Sequence, residues 1–514
     1  MGLRNGIVAA AAVVLAGAAQ AGDTVKVAQG TLHGATTGRV TSFKGVPFAA
    51  APVGDLRWKA PAPAARWTGV REATAFGPVC MQMGRANSGG TQNQSEDCLF
   101  LNVWTPAGAK PGAKLPVMVW IHGGAFIQGA GSSPIYDGTH FAERGVVLVS
   151  VNYRLGRLGF FAHPALSAEG AGGPLGSYGL MDNVAALQWV KANIGQFGGD
   201  AANVTVFGES AGGILVNFLM ASPPARGLFA KAISESGFGR NNGMPIRGDA
   251  SRTAEKQGLT YAASVGIIAA GPEALRELRA LSAQQLSAPV SGLGDPAIPG
   301  PIIDGVLMKE GPAAAFAAGR EARVPYIAGG NSFEASLFPQ AAQFPDTVLA
   351  RAGALKDKVL AVYGGDPVKA ANDLTTESTV IEADRHLARL HTRNGQKAWT
   401  YYFSYLPVAS RGVVHGLSHG GEIIYVFDNV PAQPMVIGTR TIQAATPEDH
   451  AISAAAIEHW VAFARHSDPG ADWPRFGASE AALEFGIDGV HARPDFHKPS
   501  LDLVEQIAAT AAGR

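Results

Sequence analysis

Gly208-Glu209-Ser210-Ala211-Gly212 offers a nucleophile. It follows the apolar run Val204-Thr205-Val206-Phe207 and leads into a helix-compatible run from Ile214 to Met220. That order is strand, tight turn, helix. Such a turn lifts one hydroxyl clear of a strand end on strained backbone, and only small neighbours fit. Gly208 and Gly212 supply that smallness. A helix that begins at the serine also aims free N–H groups and its positive dipole end at the reacting centre. The pattern alone says little in a chain with 65 glycines. Three further segments, in matching order, turn it into a reading of acyl transfer to serine.

His122-Gly123-Gly124-Ala125-Phe126 follows the apolar run Val117–Ile121. Two successive glycines let backbone come close to a substrate. The N–H groups of Gly123 and Gly124, with that of Ala211, would form an oxyanion hole. Gly329-Gly330-Asn331-Ser332-Phe333-Glu334 follows the strand-like Val324–Ala328. A carboxylate there can orient an imidazole and stabilise its charged form. His419-Gly420-Gly421-Glu422-Ile423-Ile424-Tyr425-Val426-Phe427 places a histidine in a glycine-rich loop, with the freedom and exposure that a general base needs. Serine, then glutamate, then histidine is the chain order of α/β-hydrolases.

The chain resembles the type-B carboxylesterases, the family of cholinesterases and bacterial para-nitrobenzyl esterases. The matching residues are Phe43-Lys44-Gly45-Val46-Pro47-Phe48-Ala49, Leu56-Arg57-Trp58 and Glu96-Asp97-Cys98-Leu99-Phe100-Leu101-Asn102-Val103. Val151-Asn152-Tyr153-Arg154-Leu155, Gly179-Leu180-Met181-Asp182-Asn183 and Phe197-Gly198-Gly199-Asp200 continue the match up to the serine turn. The resemblance implies an α/β-hydrolase fold: a mostly parallel central sheet flanked by helices, with helical insertions over the active site. It implies a serine carboxylic-ester hydrolase acting on a small-molecule ester through an acyl-enzyme on Ser210. It places the acid at Glu334, and the base at His419, three residues before the glutamate of Glu-Ile-x-Tyr-Val-Phe. His415, four residues earlier, fails that spacing. Glu209 and Ser236 would support the histidine from behind, although a glutamate in such a turn can also be simply buried and hydrogen-bonded. His122 reads as structural, since its backbone position already explains the motif. Leu417-Ser418 and Ser177 depart from the family pattern at positions that bear on the pocket wall. An amidase or peptidase could use the same triad. A non-catalytic cholinesterase-like binding protein would lose the serine, whereas here all three positions carry competent residues.

Composition narrows the field further. The chain has 514 residues, 47% of them hydrophobic and 16% charged, and its 41 basic and 41 acidic residues cancel. That balance offers no electrostatic footprint for nucleic acid or an anionic membrane surface, and it mildly favours neutral esters. No cofactor or metal is needed: two cysteines are too few for a zinc site, and His-Glu-x-x-His is absent.

Residues 1–21 read as a secretory signal, with Arg4 in the n-region, an apolar stretch Ile7–Ala19, and Ala19-Gln20-Ala21 before the cleavage point. The apolar stretch is short for a membrane span, and no later segment carries the roughly 18 uninterrupted apolar residues of a transmembrane helix. Export to the periplasm or beyond fits the cysteine count, because Cys80 and Cys98 can pair in an oxidising space. The family resemblance implies that same pairing; two buried thiols are the alternative.

Residues 22–514 are expected to form one hydrolase domain. Sheet strands are expected at Val117–Ile121, Val146–Tyr153, Val204–Phe207, Val324–Ala328 and Trp399–Leu406. Helices are expected over Met181–Phe197, with one apolar face, and over Glu273–Leu286, Glu377–Thr392 and Glu448–His466. Residues 241–320 break the alternation and read as a helical insertion roofing the site. If residues 1–21 are removed on export, N-terminal sequencing of protein from the native host will begin near Gly22; an intact Met1 overturns the signal peptide.

Overall fold

Leu115–Ile121 shows how the sheet is built. Its successive side chains alternate between two buried clusters: Val117, Val119 and Ile121 face one, Met118 and Trp120 the other. A strand covered on both faces reads as a continuous apolar run, which is why this stretch carries no polar alternation. The computed structural model describes residues 23–82, 93–287, 300–437 and 440–512. In it this strand is one of eleven in the central sheet. In chain order they are β1 (Ala35–Thr37), β2 (Val40–Pro47), β3 (Phe100–Pro106), β4 (Leu115–Ile121), β5 (Val147–Val151) and β6 (Gly199–Glu209), then β7 (Lys231–Glu235), β8 (Tyr326–Asn331), β9 (Ala398–Phe403), β10 (Ala482–Gly486) and β11 (Gly489–Arg493). Across the sheet the order is β11-β10-β9-β8-β7-β6-β4-β5-β3-β2-β1. From β10 to β5 every neighbouring pair is parallel; the edges are antiparallel.

Register does the positioning. Ile121 pairs with Gly208, Glu209 with Glu235, and Glu235 with Gly329. β4, β6 and β7 therefore end within one residue of one another and β8 two residues further on, at the carboxyl side where open α/β sheets place their ligands. Helices α1 (Tyr178–Asn193), α2 (Ala211–Ala221), α3 (Glu382–Arg393) and α4 (Pro447–His466) flank the sheet.

Several residues that carried the family resemblance turn out to pair with one another. The Arg57 guanidinium donates to Glu96, at 2.8 Å from Nε. Arg154 donates to both oxygens of the fully buried Asp182, at 2.9 and 2.7 Å. Asn102 Oδ1 accepts from the Gly45 N–H. Each pair ties segments far apart in sequence, and each satisfies a charge or amide that burial would otherwise penalise. Ser177, one of the departures, uses its hydroxyl to accept from the Ile302 N–H at 2.7 Å, pinning the insertion to the N-terminus of α1.

The expected elements are present, with shifts. The glycines expected after Val324–Ala328 belong to strand β8, because Gly329 to Asn331 still pair with β9. The expected single helix over Glu273–Leu286 is two, Gly271–Ala280 and Ala283–Leu286, since Ser282 and Gln285 form a capping box that starts the second. Glu377–Thr392 begins with a π turn, Glu377–Ile381, before α3. Helix α1 ends at Asn193 in a 3-10 turn, and it is buried nearly all round rather than on one face. Its polar residues explain the difference: Asp182 is paired with Arg154, while Asn183 donates to its own helix at the Gly179 carbonyl. Among the described residues of 241–320 lie four short helices and the two-stranded pair Met244–Pro245 with Ile302–Ile303. No helix of the described residues is long and apolar enough to cross a membrane. Residues 1–21 lie outside the described residues.

Cys80 and Cys98 form a disulfide that closes an 18-residue separation. The chain-entropy model assigns such a loop about 3 kcal/mol, through the unfolded state. Reduction is therefore expected to lower the melting temperature of the purified protein, and Cys80→Ala with Cys98→Ala to cost about 3 kcal/mol in denaturant unfolding. An unchanged midpoint would show that the bridge adds nothing to the fold.

Candidate active site

Ser210 stands between β6 and α2 with φ 57° and ψ −121°, a conformation outside the ordinary L-residue basins. The backbone around it explains the small neighbours. A Cβ on Gly212 would lie 1.9 Å from the Ile121 carbonyl oxygen, and one on Gly208 would lie 2.5 Å from the same atom. The Ser210 N–H donates to the Glu235 carbonyl at 2.9 Å, which locks the turn onto β7.

The glycine pair after β4 arrives beside it. A Cβ on Gly123 would lie 3.1 Å from Ser210 Cβ and 2.5 Å from Glu209 Oε2, so no side chain fits there. Gly124 has φ 108°, and Ala125 and Phe126 also take positive φ, at 54° and 63°. This left-handed run turns the segment sharply over the serine. No backbone acceptor among the described residues takes the N–H of Gly123, Gly124 or Ala211. A donor left free of backbone acceptors at a helix start, as at Ala211, favours negative charge nearby.

Glu334 opens a 3-10 turn just past β8 and is fully buried. One oxygen accepts from Ser236 Oγ at 2.6 Å and from the Asn331 N–H at 2.7 Å. The other accepts from His419 Nδ1. The histidine loop is tied to this turn: the Phe333 N–H donates to the Leu417 carbonyl, and the His419 N–H to Ser336 Oγ. The side chain of His419 is only 9% exposed. The mobile, exposed histidine expected from its glycine-rich loop is thus replaced by a fixed one. The glycines serve a fixed turn and close packing instead: Gly420 takes φ 68°, and a Cβ on Gly421 would lie 2.7 Å from Leu417 Cδ1.

His419 Nε2 lies 3.0 Å from Glu209 Oε1, but off the line of a hydrogen bond, and neither atom has another partner among the described residues. Glu209 therefore reaches from Gly123 to His419 with its two oxygens. Burial alone would lower the imidazole pKa, yet the charges of Glu209 and Glu334 outweigh it and hold the group well above its ordinary value. Ser236 has φ 47° and is fully buried.

Two more buried carboxylates sit behind these, and the sequence reading passed over both. Burial, with the charge of Glu209, pushes the Glu235 carboxyl up to about 8, against the pull of a 2.7 Å bond from Trp460 Nε1. Glu422 is raised well above the carboxylate range by burial and by Glu209, Glu235 and Glu334, while Asn331 Nδ2 donates to it. A signal was available for the first: a charge at the end of the strand Lys231–Glu235, where all five residues are buried. Glu422 was visible, but only as a spacing marker.

His122 is buried against Tyr153, with ring centroids 4.5 Å apart, and its Nδ1 donates to the Gly123 carbonyl at 2.8 Å. Burial brings its pKa down to about 4, so it stays neutral and braces the loop. His415 is exposed, and its ring lies against Phe333. Among the described residues Glu382, His386 and Glu505 bring possible metal-ligand atoms within 4.8 Å of one another. Both oxygens of Glu382 already accept from Arg240, at 2.7 and 2.6 Å, and Glu505 accepts from Arg385 and Arg389. Three guanidinium groups make this a salt-bridge cluster rather than a cation site.

Comparison with known proteins agrees with this geometry. The model of the carboxylesterase family matches residues 21–496. Fumonisin B1 esterase of Sphingopyxis macrogoltabida is 36% identical over 492 residues, covering 90% of this chain and 87% of that protein. Para-nitrobenzyl esterase of Bacillus subtilis (strain 168) is 34% identical, covering 87% of this chain and 91% of that protein. Among solved structures, a para-nitrobenzyl esterase superposes with a TM-score of 0.80 at 30% identity, covering 94% of this chain and 99% of its own. A carboxylesterase of Geobacillus stearothermophilus gives 0.80 at 32% identity, covering 93% and 99%. The chain therefore belongs to the carboxylesterase family, with the α/β-hydrolase fold, and is a carboxylic ester hydrolase.

Proposed function

We propose that Ser210, His419 and Glu334 form the catalytic triad of this esterase and that hydrolysis runs through an acyl-enzyme on Ser210. The observation that supports it most is the fixed imidazole: Glu334 holds Nδ1, which leaves Nε2 as the proton-carrying atom. Nε2 lies beside Glu209, and Glu209 reaches the glycine that packs on Ser210.

In the first half-reaction the Ser210 Oγ–H proton passes to His419 Nε2 as Oγ bonds to the ester carbonyl carbon. The carbonyl oxygen becomes an oxyanion and accepts from the N–H groups of Gly123, Gly124 and Ala211. Collapse breaks the bond to the alcohol oxygen, which takes the proton from Nε2. Water then repeats the sequence on the acyl-serine, releasing the acid and restoring Oγ–H. Glu334 fixes the tautomer with its proton on Nδ1. Glu209 adds a second negative charge beside the imidazolium formed in each transition state, and Ser236 keeps Glu334 in place.

The substrate is a small carboxylic ester. The 241–320 insertion would wall its pocket, since Gly300 abuts the Phe126 ring and Phe126 packs edge-on to Phe160 at 5.2 Å. One relative is named for fumonisin B1, so that compound belongs in a substrate panel beside para-nitrophenyl esters of graded acyl length. Export is consistent with the disulfide.

Ser210→Ala is expected to abolish para-nitrophenyl ester turnover and fluorophosphonate labelling with the fold intact. His419→Ala should do the same to turnover, whereas His415→Ala should keep most of it. Glu334→Gln should cost orders of magnitude in kcat, because an amide does not stabilise the imidazolium as a carboxylate does. Full turnover in the Ser210 variant overturns the triad.

The pH dependence has a definite sign. His419 must be neutral to accept a proton, and its pKa is raised, so kcat/KM should climb with pH through an apparent pKa above the ordinary histidine value. Glu209→Gln removes one of the charges that raise it. The acid limb of the profile should then move to lower pH while the maximal rate falls. A limb that stays put would show that Glu209 does not act on the histidine.

A further inference from the structure

Asp384 lies on α3, in the turn after the π segment Glu377–Ile381, and its side chain is almost fully buried. It makes no salt bridge among the described residues. Instead its two oxygens accept backbone N–H groups, Oδ2 from Gly237 at 3.4 Å and Oδ1 from Gly239 at 3.1 Å. Between and beside these glycines stand Ser236 and Phe238, both at φ 47°. Two non-glycine residues in the left-handed region, two positions apart, make a strained turn that persists only if its surroundings hold it.

What the turn carries gives the clamp its meaning. Ser236 Oγ donates to Glu334, the proposed acid, at 2.6 Å. Phe238 presents its ring to His419, the proposed base, with centroids 6.0 Å apart at 70°. The turn thus touches both groups that act on Ser210. Asp384 shares the turn with other anchors. The Ser236 N–H donates to the Gly329 carbonyl on β8 and the Asn241 N–H to the Phe238 carbonyl, both at 2.7 Å, whereas among the described residues Asp384 alone takes the N–H groups of Gly237 and Gly239. The Gly237 carbonyl accepts from Asn217 Nδ2 at 3.1 Å, and Asn217 is itself held by the Tyr326 hydroxyl at 2.7 Å. A Cβ on Gly239 would lie 2.3 Å from the Ala383 carbonyl oxygen, so the turn lies directly against α3. The π segment is in register with the same site. A Cβ on Gly330 would lie 2.5 Å from Val380 and 2.9 Å from Glu334 Oε1.

We propose that Asp384 is a positioning residue for catalysis: it clamps the strained Ser236–Gly239 turn from α3 and thereby sets both the Glu334 carboxylate and the His419 ring. The inference rests on the triad reading above. Asp384 touches no reacting atom; it works through Ser236 and Phe238. Burial holds its carboxyl well above the usual carboxylate range despite the two N–H bonds, with Glu334 and Glu382 adding to the rise. It can therefore sit near Glu334 without placing a full second charge beside it.

The test uses the whole protein and para-nitrophenyl acetate, with active sites counted from the burst of para-nitrophenol. Asp384→Ala should lower kcat per counted site by about 10²-fold, the scale expected when catalytic groups are displaced by about 1 Å from a distance. The acid limb of its kcat/KM profile should move to lower pH, because a loosened Glu334 raises the imidazole pKa less. Asp384→Asn keeps one acceptor oxygen and should fall between the two. A merely structural role would reduce the number of active sites and the melting temperature, but not the rate per site or the position of the limb. If both stay at wild-type values in Asp384→Ala, the inference is overturned. Should that variant fail to fold, Asp384→Asn decides by the same two readouts. Fluorophosphonate labelling of the wild type at Ser210 keeps the two readings apart. No labelling means the triad has failed; normal labelling with unaltered Asp384 variants removes only the clamp.

Discussion

The site depends on one steric fact, the approach of the Ile121 carbonyl to the turn that carries Ser210. Gly208 and Gly212 both back onto that oxygen, and neither position has room for a methyl group. The approach forces Ser210 into backbone geometry that costs of order 1–3 kcal/mol. Neighbours make up for it. The Ser210 N–H is bonded to β7, and α2 is buried along its whole length. A loosely packed loop would relax the turn and withdraw the hydroxyl, so burial around the serine is part of how the serine is presented. The same packing delivers Gly123, because β4 and β6 are adjacent and end in register.

Electrostatics then sorts four buried carboxylates into two kinds. Glu209 and Glu334 both reach the imidazole, while Glu235 and Glu422 lie behind them and touch no cation among the described residues. Mutual repulsion and burial push the rear pair toward the neutral form, which leaves negative charge concentrated at the two that face His419. One imidazole between two carboxylates is held strongly as imidazolium. On the triad proposed above, that is the charge formed in the transition states, and the same pull would move the onset of activity toward higher pH. On that proposal the two carboxylates lower the fraction of free-base imidazole at rest while they stabilise the imidazolium formed during reaction.

Much of this was legible in residue order. The serine turn, the glycine pair after β4, the glutamate after β8 and the choice of His419 over His415 all followed from local patterns, and the fold places Gly123 against Ser210 and Glu334 against His419. Local patterns succeed where the chemistry needs a short-range shape: a tight turn, a close backbone approach, a strand ending. They fail where a residue acts on something far away in sequence. Asp384 sits in the helix sequence Glu382-Ala383-Asp384-Arg385-His386, which reads as a solvated polar face. Only the fold shows that a turn from 145 residues earlier lies against it. Helix α1 misled for a related reason, since its polar residues are paired inside the protein and so mimic a water-facing side. The π turn before α3 has no sequence signature at this level. The expected mobility of the histidine loop failed because glycine was taken as a source of motion, whereas here it gives a fixed left-handed turn and clearance.

The distribution of strain follows from that last point. Five of the twelve non-glycine residues with positive φ among the described residues lie just past the ends of adjacent strands: Ala125 and Phe126 after β4, Ser210 after β6, Ser236 and Phe238 after β7. Strands that end in register leave their successors competing for one small volume, and ordinary turns would carry each chain away from it. A left-handed residue sends the chain sharply back over the strand end. The sheet supplies a rigid frame, and these reversals convert its carboxyl edge into a cluster of inward-facing groups. Rigid strands alone could not fold the Gly123 segment back onto Ser210 and Ser236 back onto Glu334. Flexible loops alone could not hold them there against the repulsion of buried carboxylates. The strain at these five positions is thus a consequence of building a convergent site from parallel elements.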